Sequence, residues 1–320
     1  MTAVTHDTGH ESTAAVRAAL AANFAIAIGK FIAGALTGSA AMLAEGGHSV
    51  ADTVNQVFLL IGINLSETKA DDNHPHGYGK EAFFWSFMAA IFIFVAGAAF
   101  SFYEGIRTAI QSDEHHRSSS DLIIAFGVLG MAFVFETMSM TFAVRSLLTG
   151  ARRKGWSILR YLRQSPDVTT KTVFFEDGAA LNGLAFAALG LFLSETTGNE
   201  NWDAVASIGI GVILSGVSVM LGMQARGLLI GAAANAETRE ELHAIVSSFA
   251  EVDHVVRLLT MQLGSHSVLV SGELELNRGL TTDEIESLIE RIDARVASEI
   301  PEIIDTFWEL RRHPRNRTRT

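Results

Sequence analysis

Cysteine is missing from the 320 residues. Disulfides, thiolate zinc sites and cysteine nucleophiles are therefore excluded, and a bound metal has only His, Asp, Glu, Asn or backbone oxygen to hold it. Proline is scarce, with 4 residues, whereas glycine is common, with 28. Charge is also thin: Asp, Glu, Lys and Arg make up 18% of the chain, below the roughly 25% of ordinary soluble domains. The formal net charge is −11, and no basic run extends beyond one short segment. Nucleic acid thus finds no electrostatic footprint here. Neither GxSxG nor HExxH occurs, which points away from an enzyme; no prosthetic group is expected. The opening stretch MTAVTHDTGHESTAAVRAAL lacks the basic start and short apolar core of a signal peptide, and is expected to stay on the side where it was made.

What the chain has instead is long apolar runs. Hydrophobic residues make up 48% of it and crowd before about residue 230, while charge crowds after it. A membrane-spanning helix needs about 20 mostly apolar residues, and glycine-rich, proline-poor helices suit close packing in lipid. Six candidates meet that length: Ala14 to Leu36, Ala40 to Leu65, Ala82 to Ile110, Leu122 to Leu148, Thr169 to Leu193, and Ala204 to Leu229. The first two are joined only by Thr37-Gly38-Ser39, a tight helix–helix turn. An even number of spans puts both termini on one side. The segment between the fourth and fifth spans carries Arg152, Arg153, Lys154, Arg160 and Arg163, whereas the opposite loops SDEHHRSSS and SETTGNENWD are acidic or neutral. The positive-inside rule then places both termini in the cytoplasm, in a membrane of the bacterial inner-membrane type.

The character changes after about Arg226. AETREELHAIVSSFAE reads as an amphipathic helix, Val255 to Met261 and His266 to Leu276 as strands, Thr281 to Ile300 as a helix capped by Thr282 or Asp283, and Asp305 to Arg311 as a last strand. The predicted fold is an α-helical membrane protein of six spans followed by a small α+β domain in the order αββαβ. Its expected boundaries are a polar tail at 1–12, the bundle at 13–229, the α+β domain at 230–313 and a tail at 314–320.

Ionisable residues inside the spans carry the chemistry, because a charge in lipid must face a cavity, a partner or an ion. His48 and Asp52 lie four apart on the second span, one turn apart on one face, with Asn55 a further turn along. This is metal-ligand spacing, although a His–Asp bond that only packs helices has the same pattern. Glu176 and Asp177 sit two turns inside the fifth span, too deep to be caps. Adjacent residues point about 100° apart, so one can face an ion and the other a neighbouring helix. Glu136 on the fourth span is a further buried acid with a structural or a functional role. Glu104 and Arg107 read as an interfacial pair at a span end. The loop after the second span, KADDNHPHGYGKEAFFW, gathers Asp71, Asp72, His74 and His76 among turn residues; it reads as a metal loop or as a solvated turn. Glu114-His115-His116-Arg117, and the scattered His243, His254, His266 and His313, read as surface residues without ligand spacing.

The segments GSAAMLAEGGHSVADTVNQ, DDNHPHGYGKE and FFEDGAALNG, followed by the αββαβ tail, resemble the cation diffusion facilitator family from about Ala14 to Arg311. HPHGYGKEAFFW with the fifth-span Glu-Asp is most similar to the branch that includes a mitochondrial zinc transporter. The resemblance implies a divalent-cation exporter in the lipid bilayer, coupled to protons, with a tetrahedral ion site between the second and fifth spans and a homodimeric cytoplasmic domain. His48 and Asp52 would supply the second-span half. The family's paired fifth-span ligands, four apart, depart from pattern here: anchoring on Asp177 puts Val173 at the partner position, and the other register puts Phe174 and Gly178 there. Keeping Asp177 leaves Asn55, Glu136, Glu176 or water to complete the site. The family's loop site maps onto Asp71 and His74, with Tyr78 where a further His is usual, and the cytoplasmic domain lacks the full His/Asp set of a dimer-interface metal site. One imidazole with several oxygens suits Zn²⁺, and also Mn²⁺ or Fe²⁺. His48 binds metal only when neutral, so metal and protons compete for it. A divalent-cation channel and a membrane-anchored metal sensor are the alternatives.

Overall fold

The structure, a computed structural model, describes residues 9–110, 118–165 and 167–311, with side chains from Asn23 onward except at 168 and 169. The Glu114 to Arg117 segment and His313 lie outside the described residues. The chain divides into two compact units, one drawn from residues up to Gly62, 85–161 and 168–224, the other from 63–84, 162–167 and 225 onward.

The first unit is helical. Its elements, some of whose ends fall in the second unit, are α1 (Gly9–Thr37), α2 (Ala40–Ser66), α3 (Glu81–Phe92), a π-helical stretch (Ile93–Ala99), α4 (Phe100–Ile110), α5 (Ser119–Arg153), α6 (Ile158–Gln164), α7 (Val168–Thr197) and α8 (Asn201–Ile230). Among the described residues, four helical stretches are long and apolar enough to cross a membrane: Glu81–Ile110, Ser119–Arg153, Thr170–Thr197 and Asn201–Ile230. α1 and α2 are long helices as well, but α2 spends its length on Glu45, His48, Asp52, Asn55 and Gln56 rather than on apolar bulk. α5 explains why such helices need lipid. Ile123, Phe133, Val134, Met138 and Phe142 stand more than half exposed along it, far more apolar surface than a soluble protein leaves in water. The inner faces are lined by small residues such as Ala33, Ala44, Ala51, Ala132, Ala180 and Ala187, which let helices approach closely.

The α1–α2 turn is fixed from a distance. Gly38 takes φ 63°, a conformation that residues with a Cβ avoid. Beyond it, the Ser39 hydroxyl donates to the buried Asp203 carboxylate at the start of α8 (2.6 Å), which also accepts the Ala40 N–H. Asp203 thereby caps α2, satisfying an N–H that the helix itself cannot. The π-helical stretch falls where α2 crosses: a Cβ on Gly47 would meet the Phe100 ring and the Ala96 carbonyl. The Arg-rich segment runs from the last turn of α5 (Arg152, Arg153) into the short helix α6 (Arg160, Arg163), whose entry has Trp156 beneath Lys154 and Arg160.

The second unit holds the C-terminal domain, α9 (Ala236–Ser247), β1 (Val252–Gly264), β2 (Ser267–Leu276), α10 (Thr282–Glu299) and β3 (Ile303–Leu310). β1 pairs antiparallel with β2, and β2 pairs parallel with β3 through the α10 crossover, giving the order β1-β2-β3. Alternate residues of β2, Val268, Val270 and Leu274, join Leu242, Ile245 and Val246 of α9 and Leu288, Ile292 and Val296 of α10 in one core. Asp293 ties α10 to β3 by accepting from both the Thr306 hydroxyl and the Trp308 indole N–H. The cap of α10 is Thr281, not Thr282 or Asp283, in a capping box with Glu284.

Candidate functional site

α2 presents Glu45, His48, Ser49, Asp52 and Asn55 as buried side chains within three turns. His48 Nδ1 and Asp52 Oδ1 lie 3.1 Å apart. Neither atom has hydrogen-bond geometry to the other or to any other group, and His48 Nε2 is also unpartnered. The pair is in ion-pair contact, and beyond that contact the ring nitrogens and Asp52 Oδ1 have no further partner.

α7 divides its adjacent acids as helical geometry requires. The Glu176 carboxylate accepts from the Asn55 amide of α2. Asp177 accepts from the Ser139 hydroxyl of α5 and interacts with the charges of Asp52 and His48. Glu176 thus faces α2 and Asp177 faces α5, with Glu176 Oε1, Asp177 Oδ2 and Asn55 Oδ1 left without partners. Glu136 is half-buried on α5 and interacts with the charges of Asp52, Lys30, His48 and Asp177. Helices α2, α5 and α7 therefore bring one imidazole, one amide and four carboxyl groups into mutual electrostatic reach. Among the described residues, however, no three His, Asp or Glu side chains converge on a point that could hold an ion.

The sequence matches the cation efflux transmembrane domain over residues 16–230. The chain belongs to the cation efflux family. It is 31% identical over 284 residues to the human protein named proton-coupled zinc antiporter SLC30A9, mitochondrial, covering 87% of this chain and 49% of that protein. It is 32% identical over 266 residues to metal tolerance protein C4 of Arabidopsis thaliana, covering 83% and 57%. It is 25% identical over 290 residues to the cation-efflux pump FieF of Citrobacter koseri, covering 91% and 89%. Of the mitochondrial and plant relatives it thus spans about half the length.

In this cation efflux protein the loop after α2 is organised by hydrogen bonds. Asp71 Oδ1 accepts the N–H groups of Asn73 (3.0 Å) and His74 (2.7 Å), and Oδ2 accepts the Tyr78 hydroxyl at 2.8 Å. These bonds hold the Asp71 carboxyl below its usual range, the Tyr78 hydroxyl first, and hold the Tyr78 hydroxyl above its own. His74 lies 3.5 Å from Asp71 and stacks on the Tyr78 ring. His76 turns away to Asp305 of β3, at 2.9 Å. Glu104 and Arg107 lie 3.5 Å apart at the end of α4, the acid buried and the guanidinium half exposed.

Two site neighbours escaped the sequence reading as partners. Lys30 of α1 is fully buried; its ammonium donates to Glu45 Oε2 at 2.9 Å and to the Ser49 hydroxyl at 2.7 Å. A lone lysine in an apolar run demands a counter-charge, and Glu45, one turn before His48, was the acid in position to be that partner.

Proposed function

We propose that this chain exports a divalent cation, zinc before manganese or iron, from the cytoplasm in exchange for protons. The path runs between α2 and α7. The six long helices span the membrane, the Arg-rich segment and both termini lie on the cytoplasmic side, and the α+β domain forms a homodimer. The observation that carries this reading is the set of buried, unpartnered polar atoms on two facing helices: His48 Nδ1 and Nε2, Asp52 Oδ1, Asn55 Oδ1, Glu176 Oε1 and Asp177 Oδ2. Buried polar groups are normally hydrogen-bonded. A row of such N and O atoms, with one lone pair on the neutral His48 imidazole, suits a cargo cation borrowing them one after another. The name of the human relative supports zinc and proton coupling, and that of the plant relative supports a metal.

In this reading His48 and Asp52, one turn apart on α2, form one half of the site. Glu176 and Asp177 form the half held in reserve, by Asn55 and by Ser139. Loading the ion requires the reserve acids to exchange those hydrogen bonds for metal coordination. Protons arriving at the same lone pairs compete with the metal and release it. A proton-driven exchanger follows if the two events happen on opposite sides.

Reconstitution in proteoliposomes tests this. Zn²⁺ flux is expected to follow an imposed pH gradient and to fall at least 100-fold in Asp52→Ala. Zinc flux indifferent to the gradient would remove the coupling, and undiminished flux in Asp52→Ala would remove the site. Mn²⁺ and Fe²⁺ added as competitors rank the cargo.

A further inference from the structure

Glu45 is bound on one side only. Oε2 takes the Lys30 ammonium, and Oε1 has no hydrogen-bond partner although it is buried. That free oxygen lies against α7 at Gly183: a methyl group added there would overlap Oε1. Glycine at 183 is therefore the room that Glu45 occupies. It is a helical position without positive φ, so backbone freedom does not explain the residue, and close approach does.

The location relative to the site gives this contact its meaning. α2 and α7 run antiparallel, since Asn55 meets Glu176 and Glu45 meets Gly183. Between the two contacts lie about 15 Å of α2 and about 10 Å of α7 at the helical rise of 1.5 Å per residue. His48 and Asp52 fall inside that interval on α2, and Asp177 falls inside it on α7. The α2–α7 interface is thus in contact at both ends of the ion-binding stretch: through the Asn55–Glu176 hydrogen bond at one end, and at the other through the buried Glu45 carboxylate, held by the Lys30 ammonium, which also donates to Ser49. Lys30 belongs to α1, so the second contact also fixes three helices relative to one another.

We infer that Lys30, Glu45 and Gly183 are positioning residues for transport, a steric bracket that sets the separation of α2 and α7 at the ion site without touching the ion. The inference rests on the reading of His48 and Asp52 as cargo ligands. The bracket works by shape: the Glu45 carboxylate is the spacer, Lys30 holds it in one rotamer, and the missing side chain at 183 is its seat. Changes that crowd or shorten the spacer alter how well the two halves of the site meet, and so alter affinity for the cargo before they alter turnover.

The test is a set of single and paired variants in proteoliposomes, with Zn²⁺ as the probe. Gly183→Ala is expected to raise the apparent KM for Zn²⁺ about tenfold or more, with turnover at saturating zinc within about twofold. Glu45→Asp, which withdraws the carboxylate by one methylene and keeps its charge, is expected to raise KM about threefold to tenfold. The pair Gly183→Ala with Glu45→Asp is expected to recover to within about threefold of wild type, because the shorter acid makes room for the added methyl. Glu45→Asp carries the test by itself if Gly183→Ala gives no folded protein. Wild-type KM in both single variants, or a double variant no better than Gly183→Ala, overturns the bracket. Asp52→Ala runs beside them: if it too transports normally, the reading of the site has failed, whereas a dead Asp52→Ala with normal bracket variants sinks the bracket alone.

Discussion

At the scale of single residues, the buried charges divide into those with a partner and those without. Lys30 and Glu45 are both fully enclosed, at 0% side-chain exposure. Removing one member of such a pair strands the other, at a cost of about 3–5 kcal/mol, while replacing both by neutral groups is often close to neutral. Lys30→Met is therefore expected to lower the unfolding midpoint of the detergent-solubilised protein sharply, and Lys30→Met with Glu45→Gln to restore most of it. A double variant as unstable as the single would show that the pair does not act as a unit. Asp71 makes a different prediction, outside the membrane. Its carboxyl is held below the usual range, chiefly by the Tyr78 hydroxyl, so the contribution to stability is present above the unfolded carboxylate value and is lost as pH falls through the folded one. Tyr78→Phe should move the Asp71 titration upward, read by carboxyl carbon-13 NMR; an unmoved titration would rule out Tyr78 as the cause. The proximity of His48 and Asp52 was legible from their spacing of four on one helix. The directions of Glu176 and Asp177 were not, because they depend on where α2 and α5 pack, and no local pattern encodes that.

At the scale of elements, the four apolar spans were legible from apolar run length, since lipid demands that every backbone group be satisfied within the segment. Short features were harder. The sequence points to Thr282 or Asp283 as the cap; what selects Thr281 instead is Glu284, at the third position after it, whose carboxylate reaches back to the Thr281 N–H while the Thr281 hydroxyl accepts from the Glu284 N–H. That same contact holds the Glu284 carboxyl below its ordinary value. Thr281→Ala should destabilise the start of α10 by about 1 kcal/mol, seen as roughly fivefold faster amide exchange in its first turn, with the core strand β2 unchanged. Unchanged exchange in that turn would count against the cap. The π-helical stretch and α6 had no local sequence signature; the first lies against α2 at Gly47, and the second follows an indole in contact with Lys154 and Arg160.

At the scale of the whole molecule, sequence order and spatial grouping part company. Residues 63–84 belong with the C-terminal domain, although some 140 residues of chain intervene. Two kinds of contact secure that segment. One is polar and exposed: His76 to Asp305, both about 40% exposed, with the Phe307 ring edge-on to His76. The other is close backbone packing: a Cβ on Gly79 would come within 2.6 Å of the Leu263 carbonyl oxygen. Magnitudes decide between them. An exposed ion pair is worth about 0–1 kcal/mol, so His76→Ala and Asp305→Asn should each speed amide exchange in the 70–80 loop by no more than about fivefold, and the two together no more than either alone. Gly79→Ala has no such tolerance, because the atom it meets is main chain on the hairpin turn of β1 and cannot swing aside. Its loop should exchange at least tenfold faster, with β1 exchanging faster at Leu263 and Gly264. If His76→Ala opens the loop as far as Gly79→Ala does, the imidazole rather than the backbone contact holds the segment to the sheet.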